Sequence, residues 1–155
     1  MTAQPAALPL VAITHEPIDV QMLLAAVSHD SVGAISTFLG TVREVNEDRP
    51  VTGIDYEGSE PMAVREMQGI AGELVREWPG LRVAIVHRLG TLQVGDVSVA
   101  IACAHARRAP SADGMRRAIE SLKVRVPIWK REHYVDGEWT WVDPTKAAAP
   151  TESQP

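Results

Sequence analysis

The sequence predicts an α+β fold. Three observations carry that prediction. Runs rich in β-branched residues alternate with stretches of helical periodicity, Pro and Gly fall between the two kinds of segment, and the composition is ordinary for a globular chain. Of 155 residues, 45% are hydrophobic and 23% charged, enough apolar surface for a core without disulfide staples. The length points to one domain, read here over residues 10–143. Residues 1–9 and 144–155 are rich in Ala, Pro, Thr, Ser and Gln and read as flexible tails.

The elements follow in order. Leu10–Thr14 is a short strand, and Asp19 can cap a helix running to about Ser28. Val32–Arg43 carries Val, Ile, Thr and Phe and reads as a strand. Glu44–Pro50 is polar and reads as a loop. Val51–Glu57 reads as a strand that can pair with the one before it. Pro61–Trp78 is a helix capped by Ser59 or Glu60, with Met67, Ile70, Ala71, Leu74 and Trp78 on one face. Pro79-Gly80 ends it. Leu81–Leu89 and Val97–Ala104 are strands joined through the Gln93–Asp96 turn. A third helix covers about Ser111–Val126, with Met115, Ala118, Ile119, Leu122 and Val126 as its stripe. Pro127 stops it, because the residue before a proline avoids helical geometry. Ile128–Val135 is extended, and Glu138–Val142 returns after Asp136-Gly137.

Several function classes drop out. The net charge is −5, against a general nucleic-acid binder. No stretch approaches the roughly 20 apolar residues that span a bilayer, and the N-terminus lacks the features of a signal peptide. The single Cys103 sits in an apolar strand and reads as a buried small side chain in a reducing setting. His15, His29, His87 and His133 have no ligand spacing, so neither metal nor cofactor is expected. Gly-rich phosphate loops and nucleophile elbows are absent from the sequence.

The charge is uneven. Residues 107–131 hold eight basic residues and two acids, a +6 island that leaves −11 for the rest. Such an island suits a local anionic partner, or is simply a solvated helix face. Within it, Lys123 falls about 80° around the helix from Met115, on the flank of the buried stripe. A lysine there either snorkels outward or projects into a cleft. Lys130 lies beyond the Pro127 break, which can fold it back toward Lys123. Two ammonium groups that close repel, so one pKa falls and that lysine becomes usable as nucleophile, acid or base. Alternatively Ile128 and Trp129 anchor the segment and Lys130 and Arg131 are surface charge. Arg43 ends the Phe38–Arg43 run, where Gly40 either admits a ligand or marks a bulge.

Three segments carry a family resemblance: Gly33–Arg43 (GAISTFLGTVR), His87–Asp96 (HRLGTLQVGD) and Leu122–Glu132 (LKVRVPIWKRE). Together they resemble the large, catalytic subunit of molybdopterin synthase over about residues 10–142. The resemblance implies an α/β hammerhead-like fold and a homodimer within a heterotetramer in the cytoplasm. The implied partner is a small ubiquitin-like sulfur carrier with a C-terminal Gly-Gly thiocarboxylate, and the implied substrate is cyclic pyranopterin monophosphate. Two sulfur transfers would build the molybdopterin dithiolene.

By motif, Lys123 and Lys130 match the family's essential lysines. Thr41, Val42 and Arg43 match a substrate-binding stretch, Phe38 a pocket residue, and Arg131 and Glu132 the segment after the second lysine. The family pattern also has an adjacent His-Arg pair before the third helix. Counting back from Lys123 puts Arg107 and Arg108 there, with His105 two residues earlier. The competing classes are a lysine Schiff-base enzyme acting on a small carbonyl compound and a non-enzymatic adaptor for a ubiquitin-like protein.

Overall fold

The structure is a computed structural model that describes residues 9–142. Apart from Pro9, the tails expected at 1–9 and 144–155 lie outside the described residues. Twelve elements are present within them: β1 (Leu10–Thr14), α1 (Val20–Val27), β2 (Ala34–Thr41), β3 (Val45–Asn46), β4 (Arg49–Gly58), α2 (Glu60–Glu77), β5 (Arg82–Arg88), β6 (Gly90–Gln93), β7 (Val97–His105), α3 (Arg108–Arg125), β8 (Ile128–Tyr134) and β9 (Trp139–Val142).

The first sheet has the order β1-β5-β7-β2. Its β1–β5 pair is parallel, and its other pairs are antiparallel. Helices cover both faces, which is why β5 and β7 read as nearly continuous apolar runs. Alternation divides their side chains: Ala84, Val86, Ala100, Ala102 and Ala104 pack with Leu23 and Val27 of α1. Val83, Ile85, Val99, Ile101 and Cys103 pack with Met67, Ile70 and Leu74 of α2 and with Ala118 and Leu122 of α3. Cys103 is fully buried, and burial pushes its thiol up to about 12. The second core extends through Val42, Ile54, Tyr56, Leu92 and Ile128 into the second sheet, ordered β3-β4-β8-β9 with β6 also on β4.

The caps agree with the chain's signals. Asp19 accepts from the Met22 N–H, and Ser59 accepts from the Met62 N–H, with Pro61 in the first turn of α2. α3 begins at Arg108, ahead of the expected Ser111. Pro110 is tolerated because the first-turn N–H groups have no helical partner to lose.

Two expectations are corrected. Glu44–Pro50 is no simple loop: β3 turns into β4 through Glu47 and Asp48, whose φ of 50° and 68° match the twist of a tight two-residue hairpin. β4 pairs not with β2 but with β3, β6 and β8, while β2 pairs with β7. Between Leu89 and the Gln93–Asp96 turn the chain adds a short strand, β6, which pairs with β4. Among the described residues no helix is long and apolar enough to cross a membrane.

Candidate active site

The end of α3, the start of β8 and the end of β2 meet around one cavity of about 150 Å³. Pro127 breaks the chain between α3 and β8. The Val126 N–H still closes the helix on the Leu122 carbonyl, and the Ile128 N–H then bonds the Val126 carbonyl. This sharp exit sends β8 back along β4, with Lys130 opposite Tyr56 and Glu132 opposite Ile54. Residues two apart on a strand share a face, so Lys130 and Glu132 both point into the cavity. Lys123 reaches the same space from the last turn of α3, and Arg43 and Thr41 from the end of β2.

The remaining wall includes Gly40, Asn46, Tyr56 and Ser98. A Cβ at Gly40 would meet Val99 Cγ1 at 2.8 Å, so the close approach of β7 requires glycine. The β2–β7 register shifts between Gly40 and Thr41, where Ser98 of β7 has no partner on β2; Gly40 itself is paired with Val99 and is part of the wall.

The two lysines differ electrically. Glu132 is buried; its Oε1 accepts from Asn46 Nδ2 at 2.7 Å and from the Tyr134 hydroxyl at 2.8 Å. Its Oε2 lies 3.5 Å from Lys130 Nζ, so Lys130 has a fixed counter-charge. Among the described residues no carboxylate pairs with Lys123. Desolvation, then the charge of Lys130, lower its pKa. Lys123 is exposed overall, yet it lines the cavity.

Behind the wall, the buried His87 stands edge-on to Tyr56, with ring centroids 5.3 Å apart. Its Nδ1–H donates to the Arg88 carbonyl at 2.9 Å. Burial, and next the charge of Lys123, outweigh that bond and bring its pKa down to about 4. The ring is therefore neutral at pH 7.

Of the residues singled out in the sequence, Thr41, Arg43, Lys123, Lys130 and Glu132 come together here. The others stand elsewhere. Val42 is buried in the core, its N–H on the Asp96 carbonyl. Phe38 packs against the same core. His105 is buried, with Nε2–H donating to the Pro79 carbonyl and Nδ1 accepting from the Arg107 N–H. Arg107 and Arg108 are exposed at the far end of α3, about 20 Å along the helix from Lys123 at 1.5 Å per residue. Arg131 points to the opposite side of β8, where its Nη2 donates to Asp55 Oδ2 at 2.7 Å.

Sequence reasoning overlooked Asn46, Tyr56 and Ser98. Ser98 did leave a signal, as a hydroxyl inside the apolar run Val97–Ala102. Among the described residues, no group of three or more His, Cys, Asp or Glu is placed to hold a metal ion.

The family model described as MoaE protein matches residues 13–125. A molybdopterin synthase catalytic subunit from Halalkalibacterium halodurans is 44% identical over 131 residues, 84% of this chain and 83% of that protein. The chain belongs to the MoaE family. Its relatives include the molybdopterin synthase catalytic subunit 1 of Mycobacterium tuberculosis, 42% identical over 86% of this chain and 91% of its own length. The crystal structure of molybdopterin synthase from Staphylococcus aureus superposes with a TM-score of 0.81 at 35% identity, covering 84% of this chain and 94% of that one. The MoaE match ends at Arg125, so it includes Lys123 and stops short of β8.

Proposed function

We propose that this chain is the catalytic subunit of a cytoplasmic molybdopterin synthase. It moves sulfur from the C-terminal thiocarboxylate of a small ubiquitin-like carrier to cyclic pyranopterin monophosphate. The working assembly is a homodimer of this chain carrying two sulfur-carrier subunits. One observation supports the reading above the others: Lys123, Lys130 and Arg43, from three separate elements, line one small cavity.

The chemistry fits the reactants. A substrate phosphate and a thiocarboxylate both bring negative charge, and three cations around a small space offset it without reorganising during the reaction. The lysines divide the work. Lys130, neutralised by Glu132, keeps a fixed position and with Arg43 holds the pterin phosphate and the reacting carbons. Lys123, with its lowered pKa, contacts the thiocarboxylate and exchanges protons near neutral pH. In each transfer the thiocarboxylate sulfur displaces an oxygen substituent at a pterin carbon, and water then cleaves the acyl C–S bond, leaving the sulfur on the pterin and returning the carrier's terminus as an ordinary carboxylate.

The test is reconstitution with thiocarboxylated carrier and the pterin. Lys123→Ala should abolish turnover, a loss on the order of 10³-fold or more, while the protein stays folded. Full activity in that variant would refute the assignment.

A further inference from the structure

Among the described residues, Tyr56 is the only tyrosine that lines the cavity. It is buried on β4, its ring edge-on to His87 and in register with Lys130 of β8. Packed in this way, the ring gives its hydroxyl a defined position. Ser98 and Glu132, the two residues that act on that hydroxyl, are both on the cavity wall, so the polar end of the ring faces the cavity. Burial above all, with Glu132 adding and Ser98 opposing, raises the phenol's pKa, so its proton stays in place at neutral pH. Ser98 Oγ donates to the Gly40 carbonyl at 3.2 Å and has no proton left for Tyr56. The phenol proton is thus available to an acceptor in the cavity.

We propose that Tyr56 is a catalytic residue whose hydroxyl donates a hydrogen bond to the pterin oxygen that sulfur displaces. The inference rests on the proposed sulfur transfer and adds a group to it. Two other neutral donors on the wall are already engaged: Ser98 bonds Gly40, and Asn46 donates to Glu132 while accepting from Arg43 at 3.4 Å. The reactants bring two anionic groups and one uncharged oxygen substituent. Arg43, Lys123 and Lys130 suit the phosphate and the thiocarboxylate by charge. A fixed neutral donor suits an oxygen that gains charge only as its bond to carbon breaks, because the hydrogen bond then strengthens in the transition state. As the C–S bond forms, the C–O electron pair passes to the oxygen. That oxygen keeps its bond to Tyr56, takes a proton from the Lys123 ammonium and leaves protonated. The water that next cleaves the acyl C–S bond releases a proton that restores Lys123. Tyr56 itself neither gains nor loses a proton.

Steady-state kinetics of Tyr56→Phe, reconstituted with thiocarboxylated carrier and the pterin, tests this. The ring stays against His87, so circular dichroism and melting temperature should be unchanged. Turnover, kcat, should fall about 10- to 100-fold while KM for the pterin stays within about two-fold, because the bond matters only in the transition state. Inorganic phosphate, titrated by calorimetry, should bind Tyr56→Phe as tightly as it binds the unaltered protein. Full kcat in Tyr56→Phe would overturn the inference. So would a raised KM at unchanged kcat, or weakened phosphate binding, since the phenol would then hold the phosphate instead. Lys123→Ala is measured alongside. If that variant is fully active, the proposed function fails; if it is inactive while Tyr56→Phe keeps full kcat, only the role of Tyr56 fails.

Discussion

Lys130 and Arg131 are neighbours of the same charge on one strand, yet they occupy opposite environments. Lys130 faces another lysine across a cavity, with one carboxylate oxygen at 3.5 Å. Arg131 is held by two hydrogen bonds to Asp55 and stacks against two tryptophans. The same contrast runs through the whole basic island. Arg125 is tied to Glu66 and Glu73 of α2, and Arg116 to Glu120. Positive charge in the sequence therefore does not identify the reactive groups. What distinguishes the lysines is their place on one cavity, and Lys123 further by desolvation beside like charge, whereas Arg116, Arg125 and Arg131 meet their carboxylates away from it.

The comparison can be broken most directly by removing each neighbour in turn. Lys130→Ala should lower kcat/KM by about 10²- to 10⁴-fold. It should also let the Lys123 pKa rise toward that of an ordinary lysine, followed by NMR of labelled lysine side chains. Arg131→Ala should leave turnover intact, and equal losses in the two variants would remove the distinction between the faces.

The next effect concerns a histidine on the cavity side. His87 is neutral when folded and titrates near 6.5 when unfolded. Its folded pKa is depressed, so its contribution is fully present above pH 6.5 and disappears as pH falls to about 4. That amounts to roughly 3 kcal/mol across the window. Denaturant unfolding of His87→Gln between pH 7 and 4 should show a correspondingly flatter acid limb. Asp55 on the outer face acts lower: burial would raise its carboxyl, but the bonds from His133, Arg131 and Thr91 win and bring it to about 2. Its contribution is kept above pH 3.8 and lost toward pH 2.

Arg131→Ala should cost about 1–2 kcal/mol in thermal or chemical unfolding, because Asp55 keeps His133 and Thr91. The smallest effect is expected from Glu132→Gln. Without that carboxylate the cavity is more positive and Lys123 releases its proton more readily, so the pH profile of kcat/KM should move to lower pH by less than about one unit. A shift to higher pH would contradict the arrangement of charges described for the cavity.

Much of this was legible in the chain. Caps, proline breaks and the periodicity of α2 and β7 act over a few residues, so local chemistry defined those elements. Lys123 could be placed on the flank of the α3 stripe because helix geometry is regular, and strand alternation separates Lys130 from Arg131. The hairpin at Glu47 and Asp48 was hidden because neither residue is the Gly or Asn usually found at positive φ.

Tertiary structure alone decided whether Lys123 snorkels or enters a cleft. That depends on β2 and β4, more than 60 positions away in sequence, closing with β8 over the end of α3. It also placed Arg107 and Arg108 at the opposite end of their helix from the lysines, and it turned a tryptophan-rich C-terminal hairpin into an exposed edge. Local geometry fixes the direction in which a side chain leaves its own element, but packing between distant elements determines what that side chain meets.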